Sequence, residues 1–128
     1  MQCIPIHAND FETTHSAAFR IRHATAADDS AIYNVCLKTG DAGNDASHIY
    51  KDPRVLGHRW VGPYLHLQPR LAFVLEHEQY GVVGYTLGAL DSVAFYRRFV
   101  DEWLPNLQRL YPFPDGNVLA LVTVDLLR

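Results

Sequence analysis

Cysteine, basic clusters and long apolar runs are all scarce in this chain, and each shortage removes a class of function. There are two cysteines, Cys3 and Cys36, far apart and matching no metal or redox spacing. A reduced, cytoplasmic setting fits them, and a lone disulfide is the other reading. The 11 Lys and Arg and 14 Asp and Glu give a net charge of -3 with the signs interspersed. No basic block points to nucleic acid, and no basic amphipathic stretch points to a membrane surface. The longest apolar run is about ten residues, where a bilayer-spanning helix needs about twenty. The N-terminus lacks the charged and long apolar regions of a secretory signal. Seven histidines are present, but His48, His58 and His66 follow no zinc-site spacing, so no metal is expected.

What is present suits a globular core. Hydrophobic residues are 48% of 128, enough for one domain or part of one. Residues 1–17 show little periodicity and read as a flexible leader. From 18 to 128 the pattern switches between period two and helical spacing. Phe19–Ala24 reads as a strand with Phe19, Ile21 and His23 on one face. Thr25 caps a helix with Asp28 and Asp29 in its first turn and a stripe of Ile32, Val35 and Cys36. A polar loop runs from Asp41 to Pro53. Trp60, Tyr64 and Leu65 follow at helical spacing, interrupted by Pro63. Leu71–Glu76 and Val82–Leu90 read as strands joined by a turn over His77–Gly81. Asp91 or Ser92 caps a helix carrying Phe95, Phe99, Trp103 and Leu107, which Pro105 bends or splits. Val118–Leu127 reads as a buried strand. The class is α+β (mixed α/β), a mainly antiparallel sheet flanked by helices in the order β-α-(α)-β-β-α-β.

Several runs carry a resemblance. They include Ile21–Thr25, Cys36-Leu-Lys-Thr-Gly-Asp41, Tyr50-Lys-Asp-Pro53, Val61-Gly-Pro-Tyr-Leu65, Val82-Val-Gly-Tyr85, Leu87-Gly-Ala-Leu-Asp91 and Val124-Asp-Leu-Leu127. In these the chain resembles the GNAT superfamily of N-acetyltransferases, in the branch related to the acetyltransferase-like domain of O-GlcNAcase enzymes. The resemblance covers about residues 19–127 and implies a partial GNAT-like fold. It also implies acetyl transfer from acetyl-CoA, as co-substrate, to an amine-bearing acceptor. The superfamily's Gln/Arg-x-x-Gly-x-Gly/Ala loop, whose backbone N–H groups bind the pyrophosphate, is not among the 128 residues. The expectation is therefore a truncated form with little activity alone and weak acetyl-CoA binding. The alternative is a non-catalytic binding or dimerising remnant of the fold.

The resemblance places the thioester against the strand carrying Val124, Leu126 and Leu127. Asp91 and Asp125 are the candidate catalytic groups, against the favoured reading of Asp91 as a helix N-cap and Asp125 as a strand-end or cap residue. Asp41, Asn44 and Asp45 in the acceptor-side loop, with Tyr50, His58 and Tyr64, are the candidate substrate-binding residues. For each, a solvated or packing role is the competing reading. The apolar strand Val118–Leu127 is also expected to promote self-association, since it offers an unpaired edge.

Overall fold

A computed structural model of the chain describes residues 15, 16 and 18–112. Four strands form one antiparallel sheet in the order β1 (His15–Ser16), β2 (Phe19–His23), β3 (Ala72–His77) and β4 (Gly81–Leu87). Five α-helices accompany them: α1 (Asp29–Lys38), α2 (Val55–Trp60), α3 (Gly62–Leu67), α4 (Ser92–Arg98) and α5 (Leu104–Leu110). The expected strand Val118–Leu127, with Asp125, lies outside the described residues. The two-residue β1 falls within the stretch expected as a leader and pairs His15 with Arg20.

The register gives each sheet face its character. Phe19 sits opposite His77, Ile21 opposite Leu75 and His23 opposite Phe73, so these side chains share one face. That alternation is the expected one, but this face points away from α1. Ile21 is 46% exposed and Phe19 41%. The other face carries Ala72, Val74, Tyr85 and Leu87 and packs on the helices. β4 stops at Leu87 rather than Leu90. Gly88 makes a last backbone bond to the Leu71 carbonyl, and the side chain of Leu90 is almost fully exposed.

On the helix-facing side β2 places Arg22, which anchors the start of α1. Its guanidinium grips Asp28 through two bonds, Nη1 to Oδ2 at 2.7 Å and Nη2 to Oδ1 at 2.8 Å. Nη2 also donates to Glu76 Oε1 at 3.1 Å. Asp28 further accepts the Thr25 backbone N–H at 2.8 Å. Asp28 is thus a buried carboxylate that closes the turn Ala26–Asp28 ahead of α1. The core follows: Ile32, Tyr33, Cys36 and Leu37 of α1 pack on Val55, Leu56 and Val61, with Val74 of the sheet.

Around Pro105 the helical stretch is split into α4, a π-helical turn and α5. The turn before it, Phe99–Trp103, is wound as a π-helix, and α5 begins with Pro105 in its first positions. A π turn shifts the bonding pattern where proline offers no N–H, so the helical arm from Ser92 to Leu110 continues. Its inner stripe, Phe99, Leu104 and Leu107, packs on Leu67.

Candidate functional site

Of the described candidates, His58 packs on Tyr33 and Tyr50 shares its core cluster; Tyr33 itself is not among the expected site residues. Tyr33 projects from α1 into a space left by two glycines. A Cβ on Gly57 would fall 2.2 Å from Tyr33 Cδ2, and one on Gly62 would fall 2.5 Å from its hydroxyl. With no side chains there, α2 and the start of α3 close directly over the ring. Arg54 caps the ring, its guanidinium carbon 5.5 Å from the centroid.

Closure brings His58 edge-on to Tyr33, the ring centroids 5.2 Å apart at 87°. The Tyr33 hydroxyl and His58 Nδ1 are hydrogen-bonded at 3.2 Å. The Trp103 indole N–H donates to the His58 carbonyl at 2.9 Å and ties α2 to the helical arm. Asp52, in the loop before α2, accepts the Arg54 backbone N–H at 2.8 Å and a short hydrogen bond from the Tyr111 hydroxyl. Tyr111 in turn lies 6.2 Å, ring to ring, from His58. Two residues far apart in sequence, Asp52 and Tyr111, thereby complete a polar cluster with Tyr33, Arg54 and His58.

The protonation states follow from these surroundings. Burial pushes the Tyr33 phenol up to about 12, so it stays protonated at neutral pH. Burial, followed by the Arg54 charge, moves His58 below the ordinary histidine value, with Asp52 pulling the other way. His58 is therefore a neutral imidazole at pH 7. Burial opposes ionisation of Asp52, but the Tyr111 hydroxyl and the Arg54 N–H outweigh it and hold the carboxyl below its usual range. The cluster thus sets a neutral base next to an ionised carboxylate.

The other expected site residues divide. Asp41 and Asn44 pair their backbones across a tight turn. Asp45 is exposed, bonded to Lys38 Nζ at 2.8 Å and to the Ser47 N–H at 2.8 Å, and Lys38 holds its carboxyl well below the usual range. Tyr50 is buried in the same core cluster as Tyr33. Tyr64 stacks on Phe95 at 4.4 Å, toward the helical arm. Asp91 is the N-cap of α4, its Oδ1 accepting from Val93 and Ala94 N–H at 2.9 Å each. Val124, Asp125, Leu126 and Leu127 lie outside the described residues. Among the described residues no group of three His, Cys, Asp or Glu side chains is placed to hold a metal ion, and no helix is long and apolar enough to cross a membrane.

The cap geometry of Asp91 yields a direct expectation. Asp91→Ala should cost about 1 kcal/mol of stability, and Asp91→Asn a few tenths. Urea melts of both variants measure this. An Asn variant as stable as the parent but impaired in acetyl transfer would assign Asp91 a chemical role beyond the cap.

Comparison with known proteins bears on the fold as a whole. Over 105 residues the chain is 31% identical to protein O-GlcNAcase of Rattus norvegicus, and likewise to that of Mus musculus. The matched stretch is 82% of this chain and 11% of each relative. The crystal structure of SsHAT superposes with a TM-score of 0.72 at 34% identity, covering 82% of this chain and 55% of that one. The chain has a partial GNAT-like fold, homologous to part of O-GlcNAcase. No protein-family model matches it. It spans about half of the SsHAT chain and about a tenth of the O-GlcNAcase relatives. Within the GNAT-like fold, the Tyr33–His58 cluster sits where α1 and α2 cross.

Proposed function

We propose that the chain supplies the acceptor side of an acetyl-CoA-dependent N-acetyltransferase acting on an amine. The carrying observation is the joint match in sequence and fold, 34% identity at a TM-score of 0.72 over 82% of the chain. The Tyr33–His58–Asp52 cluster supports it with the two groups an ammonium acceptor needs, a carboxylate to attract it and a neutral base. The residues expected to hold the thioester, Val124, Leu126 and Leu127, lie outside the described part. Bound acetyl-CoA would supply the activated acyl group; the chain's own residues would bind, orient and deprotonate the amine. A cytoplasmic setting is part of this proposal, supported by Cys36, a free, buried thiol.

The test is acetyl transfer to a panel of primary amines, followed as release of the CoA thiol and by mass spectrometry of the product. The expected result is slow, amine-dependent release above the uncatalysed rate, with weak acetyl-CoA affinity by isothermal titration. No product with any amine at saturating acetyl-CoA would overturn the catalytic proposal.

A second reading, a non-catalytic binding or dimerising module, is favoured by the sheet face bearing Phe19, Ile21 and Val83. These side chains are exposed and no described helix lies on them. Concentration-dependent association in sedimentation velocity, without acetyl transfer, would favour it.

A further inference from the structure

A second face, distinct from the open side of the sheet, is built where the end of α2 meets the helical arm. We propose that this face docks an acidic peptide segment of a partner protein. One Asp or Glu carboxylate of that segment pairs with Arg59, and its apolar neighbours pack on Trp60, Tyr96 and Val100. Docking there requires no acetyl transfer.

The guanidinium of Arg59 lacks an anion. Its central carbon lies 4.2 Å from the Trp60 ring centroid and 5.3 Å from that of Phe99. Aromatic faces attract the cation, but they do not replace oxygen acceptors for its five N–H groups. Arg59 Nε is sealed from solvent with no hydrogen-bond partner. Among the described residues no carboxylate pairs with Arg59, whereas Arg22 holds Asp28 and Arg98 holds Glu102. Burial pulls Arg59 below the ordinary arginine value, with Tyr96 and Tyr64 acting against it. A half-buried guanidinium without an anion costs free energy. An arriving carboxylate offsets that cost with paired, charge-assisted hydrogen bonds. The surrounding charge has the same sign: Arg59, Arg97 and Arg98 stand against Asp101 and Glu102, three cations to two acids.

The apolar part of the face separates a peptide from a small anion. Val93, Tyr96 and Val100 recur at helical spacing, and all three are exposed, as is Trp60. The stripe runs about 10 Å along the arm, farther than one carboxylate or phosphate reaches. Trp, Tyr and Arg are the side chains that dominate binding at protein interfaces, and grouped exposed apolar residues mark such surfaces. The face is also held in shape before any partner arrives. The Trp103 indole N–H bonds the His58 carbonyl at 2.9 Å, one residue before Arg59. Tyr64 stacks on Phe95 at 4.4 Å and ties α3 to the same arm. A preformed face loses little freedom on binding.

The test is an NMR titration of the full ¹⁵N-labelled chain, following the Arg59 Nε–H and the Trp60 indole N–H. The probes are the peptide acetyl-Glu-Leu-Asp-Glu-Phe-amide, its neutral counterpart acetyl-Gln-Leu-Asn-Gln-Phe-amide, and inorganic phosphate. The acidic peptide should shift both resonances saturably and bind at least about 10-fold more tightly than the neutral one, the worth of a hydrogen bond to a charged group. Phosphate should leave the Trp60 indole unshifted. Arg59→Met keeps the stem and removes the unpaired charge. It should melt no lower than the parent and bind the acidic peptide only as well as the neutral one. Tyr96 is 62% exposed, so Tyr96→Ser probes the same face without entering the core, and it should weaken both peptides by about 5-fold or more. No saturable shift at Arg59 and Trp60 with the acidic peptide would overturn the proposal, as would equal affinity for the two peptides. So would unchanged affinity in Arg59→Met or in Tyr96→Ser. Phosphate binding as tightly as the acidic peptide would make Arg59 a small-anion site and overturn the peptide assignment.

Discussion

Asp28→Ala should lower the unfolding free energy by about 3 kcal/mol, the lower part of the range for breaking a buried ion pair. The carboxylate is buried at 6% exposure and holds Arg22 through two bonds of 2.7 and 2.8 Å. Its loss leaves a guanidinium, itself only 23% exposed in its side chain, with Glu76 as its remaining carboxylate partner. It also removes the acceptor that closes the turn before α1. The pH dependence has a definite sign. The Arg22 guanidinium, then the Thr25 bonds, hold the Asp28 carboxyl well below the usual range against the cost of burial. A carboxylate lowered on folding stabilises fully above its unfolded pKa, about 4. That contribution is lost as pH falls below about 4 towards the folded value. Urea melts at pH 7 and pH 3 check both parts. The parent chain should lose stability between them by more than the Ala variant does. A deficit under 0.5 kcal/mol at pH 7 would contradict the role given to this pair.

Gly57→Ala should destabilise by about 3 kcal/mol, the upper part of the overpacking range. The sign is the informative part. In an open helix interior, replacing glycine by alanine stabilises by up to about 1 kcal/mol. Here the added methyl would lie 2.2 to 2.7 Å from three carbons of a buried ring, Tyr33. That ring is held by the core around it and by His58, so relief requires α2 to move away from α1. The variant should therefore also loosen the Tyr33–His58 bond, which the tautomer balance of His58 reports. A variant as stable as the parent would show that α2 does not close on Tyr33 as described.

Much of the described fold is legible in the sequence because its signals are local. The alternation of Phe19 to His23, the acids after Thr25 and the Asp91-Ser92 cap each determine an element within a few residues. The turn at His77–Gly81 does so too. What escapes is what depends on partners distant in the chain. The face bearing Phe19 and Ile21 looks like a core face, and only its register with Leu75 and Phe73 on the side away from α1 shows it exposed. Asp28 reads as a first-turn acid, and the pairing with Arg22 across the strand is invisible until both are placed. The site is legible in part. His58 stands out as a titratable residue in an apolar stretch. Tyr33 lies beside the stripe of Ile32, Val35 and Cys36 with no pattern of its own, and Asp52 and Tyr111, paired across more than half the described chain, carry no shared spacing. One local signal was available: glycines at 57 and 62 in an otherwise helical stretch mark a place where another side chain approaches closely.

The central claim is that the amine acceptor is received where α1 and α2 cross. Amide and side-chain chemical-shift mapping of the full chain with increasing n-propylamine tests it most directly. The account predicts that saturable changes concentrate on Tyr33, Asp52, Arg54 and His58. Saturable changes centred instead on the cavity of about 200 Å³, whose walls include Asp29 and His66, would contradict it, as would a response spread evenly over the exposed carboxylates.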